Sequence, residues 1–175
     1  MPHAPHIAPL AAISALALLA ACSGSDEPGN GTTINISGKT DKGESASASA
    51  APNGKVSINV PGFNMDVKLP KIALDAGDVD IGGLTLYPGS KVVSLNVAAG
   101  SGEGDGNDKV QIVFDAPTDA TTLKGRFKGK MAEEKFTVSE TPGGFAGETE
   151  DGEPFALDFA AGAQGHTTGT LNITE

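Results

Sequence analysis

From Lys55 onward, apolar and polar residues alternate with a period of two: Val56, Ile58 and Val60, then Phe63, Met65, Val67 and Leu69, interleaved with Asn64, Asp66 and Lys68. Successive side chains of a strand point to opposite faces, so the pattern predicts two half-buried strands. Pro61-Gly62 supplies a turn between them and Pro70 ends the second, since Pro cannot donate to a ladder. Shorter strands are expected over 79–81, 84–86 and 92–97, with Gly82-Gly83 and Pro88-Gly89 as turns. Together, residues 55–98 read as a β meander.

After a polar stretch over 99–109, the second half (109–174) reads β-α-β-β-β. Val110, Ile112 and Phe114 alternate along a strand that Pro117 ends. Asp119 or Thr118 can cap a helix over about 119–134, because a short side-chain oxygen accepts the unpaired N–H groups of the first turn. Leu123, Phe127 and Met131 lie four apart and form one apolar stripe. Phe136 and Val138 open the next strand, the Asp151-Gly152 pair marks a hairpin, and Phe155, Leu157 and Phe159 follow it. Thr167, Gly169, Leu171 and Ile173 close the chain as a final strand. The stripe requires an apolar sheet face to cover it, so the expected fold is α+β: mostly antiparallel β, with one amphipathic helix packed on the sheet. Residues 55–98 are too few to stand alone, and 55–175 is expected to be one compact unit.

The residues before Lys55 read differently. Residues 22–54 are rich in Ser, Gly, Ala, Asn and Thr and poor in bulky apolar groups, which predicts a flexible tether. Within it only residues 32–37 have the character to pair as a stray strand. Further upstream, residues 7–21 form an uncharged apolar run, long enough for a signal-peptide core and shorter than the roughly 20 residues a spanning helix needs.

That run ends Leu19-Ala20-Ala21-Cys22, which resembles the lipobox of bacterial lipoproteins. The resemblance implies diacylglyceryl transfer to the Cys22 thiol, cleavage of a signal peptide (residues 1–21) between Ala21 and Cys22, and acylation of the new amino group. Several acyl chains together anchor a protein to a bilayer where one does not. A plain secretory signal that happens to contain a Cys is the alternative. Ser23 stands where Asp would retain an enterobacterial lipoprotein in the inner membrane, so the resemblance favours the outer membrane, facing the periplasm. The order of elements in the second half loosely resembles small uncharacterised lipoprotein domains of proteobacteria, a likeness that brings no enzymatic role.

Charge and composition narrow the chemistry. The formal charge of −10 repels phosphate backbones, so nucleic acid is not an expected partner. With one Cys there is no internal disulfide, and lipidation would remove that thiol from catalysis. His3 and His6 precede the cleavage site, which leaves His166 as the one mature imidazole, and it reads as a surface residue. Residues 104–110, Gly-Asp-Gly-Asn-Asp-Lys-Val, resemble half of a calcium-binding nonapeptide of RTX proteins, but the segment occurs once and reads equally as a solvated loop.

Carboxylates gather at Asp75, Asp78 and Asp80, and again at Glu148, Glu150, Asp151 and Glu153. A metal or acid/base site would need them to converge from different elements, whereas alternation with Val79 and Ile81 puts Asp78 and Asp80 on a strand's solvent face. Lys124, Arg126, Lys128 and Lys130 crowd one helix of an acidic chain, an arrangement suited to docking on a membrane interface or anionic partner, and equally to an ordinary core-facing helix. No catalytic residue, metal or cofactor is assigned. The expected function is a non-enzymatic, membrane-anchored envelope lipoprotein, held in the bilayer by acylated Cys22 and acting as a binding or structural module, with an envelope protein as candidate partner. A metal-dependent periplasmic module using the acidic loops, and a carrier of an apolar ligand, are the alternatives.

Overall fold

The computed structural model of this chain describes residues 31–40, 42–81, 83–100 and 108–174. The signal and lipobox residues, with Ala21 and Cys22, and residues 104–107 of the candidate calcium loop lie outside them.

Twelve strands are described: β1 (Thr33–Lys39), β2 (Ser45–Ala50), β3 (Lys55–Val60), β4 (Phe63–Lys68), β5 (Asp80–Ile81), β6 (Leu84–Thr85), β7 (Lys91–Ala98), β8 (Lys109–Ala116), β9 (Thr137–Glu140), β10 (Gly144–Glu148), β11 (Pro154–Ala161) and β12 (Thr167–Thr174). One helix, α1 (Ala120–Glu133), joins β8 to β9. Ten strands form one sheet in the order β4-β3-β2-β1-β7-β8-β12-β11-β10-β9, and β5 and β6 pair by themselves. Every pairing is antiparallel except β1 with β7. The class is α+β with a mostly antiparallel sheet.

Two expectations are corrected. Residues assigned to the tether form β1 and β2, which sit inside the sheet: Ile34 pairs with Leu95 of β7 on one side and Ala50 of β2 on the other. Thr32, just before β1, is 1% exposed, and its hydroxyl accepts the Leu74 N–H at 3.0 Å and donates to the Val92 carbonyl at 2.7 Å. Ser-Ala-Ser-Ala-Ser-Ala of β2 carries little apolar bulk, yet its alternation puts Ala46, Ala48 and Ala50 on the same face as Ile34 and Ile36, where small side chains suffice between larger ones. The meander over 55–98 is also replaced. β7 pairs with β1 and β8, and β5 and β6 leave the large sheet altogether.

A third difference lies after the helix, where a turn at Thr141–Gly144 splits the expected single strand into β9 and β10. Pro142-Gly143 supplies the turn chemistry.

The helix ends follow local chemistry. The Asp119 carboxylate accepts the N–H groups of Thr121 at 2.9 Å and Thr122 at 3.0 Å. At the other end Lys135 adopts φ 58° and Phe136 N–H bonds back to the Met131 carbonyl, the six-to-one closure of a Schellman motif, with both Phe136 and Met131 buried. Leu123, Phe127 and Met131 are the buried residues of α1 and belong to one core cluster with Phe114, Leu157, Leu171 and Leu84.

Hydrogen bonds from Thr122 and then from Thr121 hold the Asp119 carboxyl below its ordinary value. A depressed carboxylate contributes stability that is present above its unfolded pKa and lost as pH falls through the folded one. Asp119→Ala is therefore expected to lower the melting temperature at neutral pH. The gap from wild type should shrink as the solution is acidified below the usual carboxylate range. A gap independent of pH in circular-dichroism melts would contradict the charged cap.

Candidate functional site

The sheet's apolar face is not uniformly covered. After β4 the chain returns beside the start of β7, ahead of the stretch that pairs with β1, where Val92 N–H donates to the Leu74 carbonyl at 2.9 Å and Ala76 N–H to the Ser90 carbonyl at 3.0 Å. It then turns out at Asp75, through a short 3-10 turn (Ala76–Asp78), into the β5–β6 hairpin. Leu84 of β6 and Leu86 just after it are buried in the core. Between this excursion and the sheet lies a groove of about 370 Å³. Its floor is Val92, Leu95, Val110, Ile112 and Ile173 from the central strands, and its wall is Leu74 and Val79.

Three carboxylate residues complete the lining: Asp78, Asp80 and Glu153. Each aspartate has one oxygen held by backbone, Asp78 by the Asp75 N–H at 2.8 Å and Asp80 by the Gly83 N–H at 2.7 Å. The arrangement is thus an apolar trough with fixed negative charge at its margin. Such a site favours a ligand with an apolar body and a cationic or hydrogen-bond-donating end.

The two acidic clusters seen in the sequence therefore contribute to one place, which neither revealed alone. Only their Asp78, Asp80 and Glu153 line the groove. Asp78 lies in the 3-10 turn, outside the strand expected there. Glu150 pairs with Lys135 at 3.0 Å, which raises the Lys135 ammonium above its usual value. Among the described residues no group of three or more His, Cys, Asp or Glu is arranged to hold a metal ion. Of the candidate calcium loop, the described part begins at Asp108, whose carboxylate accepts the Gly100 N–H, and Lys109 and Val110 open β8.

No family model, curated protein or solved structure matches this chain. Its sites are consequently read from its own geometry.

The helix cations are distributed among local partners. Lys128 pairs with Glu140 and Lys130 with Glu133, while the Arg126 guanidinium lies over the Tyr87 ring at 5.8 Å from its centroid. The Lys128 ammonium, with Lys124 further off, holds the Glu140 carboxyl below its usual value. Lys128, Lys130 and Arg126 thus meet carboxylates and a ring of the same chain, so most of the crowding in sequence does not translate into an array of unopposed charge. His166 also has a partner: Nδ1 lies 2.7 Å from the Asp115 carboxylate, with both side chains about a third exposed. That pair depends on β12 lying beside β8, a pairing with no local signal in the sequence.

The opposite face of the sheet is polar and carries a ladder of amides across four strands. Asn35 donates to Asn96 at 2.8 Å, Asn96 to Gln111 at 3.2 Å and Gln111 to Asn172 at 2.9 Å. A second cavity of about 310 Å³ borders it. Because each amide is engaged by the next, the ladder ties β1, β7, β8 and β12 together on that face.

Proposed function

We propose that this chain is a non-enzymatic lipoprotein of the cell envelope, exported by residues 1–21, anchored by lipid on Cys22 and facing the periplasm from the outer membrane. Support for the anchor is the lipobox-like Leu19-Ala20-Ala21-Cys22. The folded part acts as a binding module for an amphiphile with a cationic end. The observation carrying that role is the groove lined by apolar residues of the central strands and by Asp78, Asp80 and Glu153. In this reading α1 is an amphipathic cover, its Leu123, Phe127 and Met131 stripe packed on the sheet with Phe127 against Phe114 and Phe159, so that the sheet beneath the groove stays rigid.

Two measurements test the reading. Mass spectrometry of the membrane-extracted protein should find acyl chains on Cys22 at the mature amino terminus; an unmodified thiol rejects the anchor. Dodecyltrimethylammonium, below its micellar concentration, should raise the melting temperature saturably, with dodecanoate at least about tenfold weaker, a difference of about 1.4 kcal/mol. Val79→Arg, which places bulk and positive charge on the groove wall, should remove the effect. Equal affinity for the two amphiphiles, or an unchanged response in the variant, rejects the groove. Stoichiometric, tight binding of Ca²⁺ or Zn²⁺ would favour the metal-dependent alternative instead.

A further inference from the structure

The polar face of the sheet is built from repeating rows. Strand register sets Asn35, Asn96, Gln111 and Asn172 side by side across β1, β7, β8 and β12, and the next row on the same face is Ser37, Ala98, Lys109 and Thr174. These four strands stand in the middle of the ten-stranded sheet, so the rows lie away from both of its edges. The cavity of about 310 Å³ sits on the two rows and forms a trough across them. Ala98, the small member between Ser37 and Lys109, leaves room in it. Among the described residues its lining contains one charged group, the exposed Lys109, and no carboxylate.

The ladder does not exhaust its amides. Asn96 and Gln111 each donate one N–H and accept one bond within it, which leaves each a second N–H and a further carbonyl lone pair. Such a group both donates and accepts, as a sugar hydroxyl does. Neighbouring strands stand about 4.8 Å apart, so the amides recur at that interval over about 14 Å. An extended β-1,4-linked glycan advances by nearly the same distance per sugar.

We propose that this trough binds an extended β-1,4-linked glycan with sparse carboxylates, laid across the four strands with one carboxylate toward Lys109. The lining selects that chemistry over the other polymers an exposed face could take. An apolar ligand would leave the amides without partners. Nucleic acid is repelled by a chain of net charge −10. A peptide strand adds to the edge of a sheet, and the trough crosses its middle. One ammonium among uncharged hydrogen-bonding groups suits a chain whose acidic sugars are separated by neutral ones. No aromatic ring lines the trough for a sugar to stack on, so affinity comes from hydrogen bonds repeated strand by strand and grows with the number of strands spanned. The site is on the face away from the groove, and it depends neither on that groove nor on the anchor.

The full chain is titrated calorimetrically with a tetrasaccharide of alternating β-1,4-linked N-acetylglucosamine and N-acetylmuramic acid, and with the corresponding disaccharide. The uncharged β-1,4-linked N-acetylglucosamine tetramer and an α-1,4-linked glucose tetramer serve as comparisons. The acidic tetrasaccharide should bind at least about tenfold tighter than the disaccharide. It should also exceed the uncharged β-linked tetramer by at least about threefold, the scale of an exposed ion pair, and the α-linked tetramer should be the weakest of the three. Lys109→Gln, a change at an exposed position, should abolish the preference for the acidic chain and leave affinity for the uncharged β-linked one unaltered. Ala98→Leu, also at an exposed position, fills the trough beside the ladder; it should weaken both β-linked tetramers at least about tenfold while the melting temperature stays unchanged. Affinity independent of chain length, or equal for the α-linked tetramer, overturns the proposal. So does undiminished binding by the Ala98→Leu protein, or an acidic preference that survives Lys109→Gln.

Discussion

Phe114→Ala is expected to remove about 3–5 kcal/mol of stability, the range for deleting a buried aromatic side chain whose surroundings cannot collapse. Phe114 is fully buried at the middle of β8, paired across the sheet with Val92 on one side and Gly169 on the other. Its ring packs on Phe127 of α1 with centroids 5.9 Å apart, so it joins the helix to the central strands. Those strands are held by their own ladders and cannot close over the space. Urea unfolding should show a much lower midpoint with little change in slope. A loss below about 1 kcal/mol would mean that the core relaxes around the cavity, contrary to the rigidity inferred for the sheet.

Gly169→Ala is expected to destabilise, although Ala is ordinarily better than Gly inside a strand by about 0.5–1 kcal/mol. A Cβ at Gly169 would fall within the Phe114 ring, because the ring lies across the glycine backbone of β12. Relief requires moving a fully buried aromatic side chain, an overpacking that typically costs about 1–3 kcal/mol. The two positions should therefore couple. In a Phe114→Leu background the Gly169→Ala penalty should fall by about 0.5–3 kcal/mol, the range for residues in contact. Additive effects would show that Gly169 serves the backbone of β12 and not the ring above it.

The binding reading depends on how far that core resists change. Val92, Ile112 and Ile173 belong to the same buried cluster as Phe114 and also floor the groove, so loosening the centre of the sheet should weaken amphiphile binding together with stability. Val79→Arg separates the effects, because Val79 lies on the wall and is only half-buried.

Much of the local structure is legible because it is encoded over a few residues. The period-two runs at 56–60 and 63–69, the Asp119 cap and the spacing of Leu123, Phe127 and Met131 each report on their own element. The strand character seen at 32–37 marks β1, whereas β2 escapes a reading by composition, because abundant Ser, Gly and Ala outweigh the alternation within it. Strict Ser-Ala repetition is the signal that reveals β2. The Pro142-Gly143 turn is likewise visible and separates β9 from β10.

The groove is not legible in this way. Asp78 and Asp80 are far in sequence from Glu153, which stands immediately before β11 and comes to the same groove because β7, β8, β12 and β11 are consecutive in the sheet. The parallel pairing of β1 with β7 spans a long excursion, and no residue pattern within either strand specifies its neighbour. By itself the sequence determined the strand periodicity, the helix with its cap, the charge and the lipobox-like run Leu19-Ala20-Ala21-Cys22, because each follows from side chains close along the chain. Tertiary structure alone decided which strands are neighbours, which carboxylates meet at the groove and which apolar face is left exposed, because these depend on long-range register and on what covers each face of the sheet.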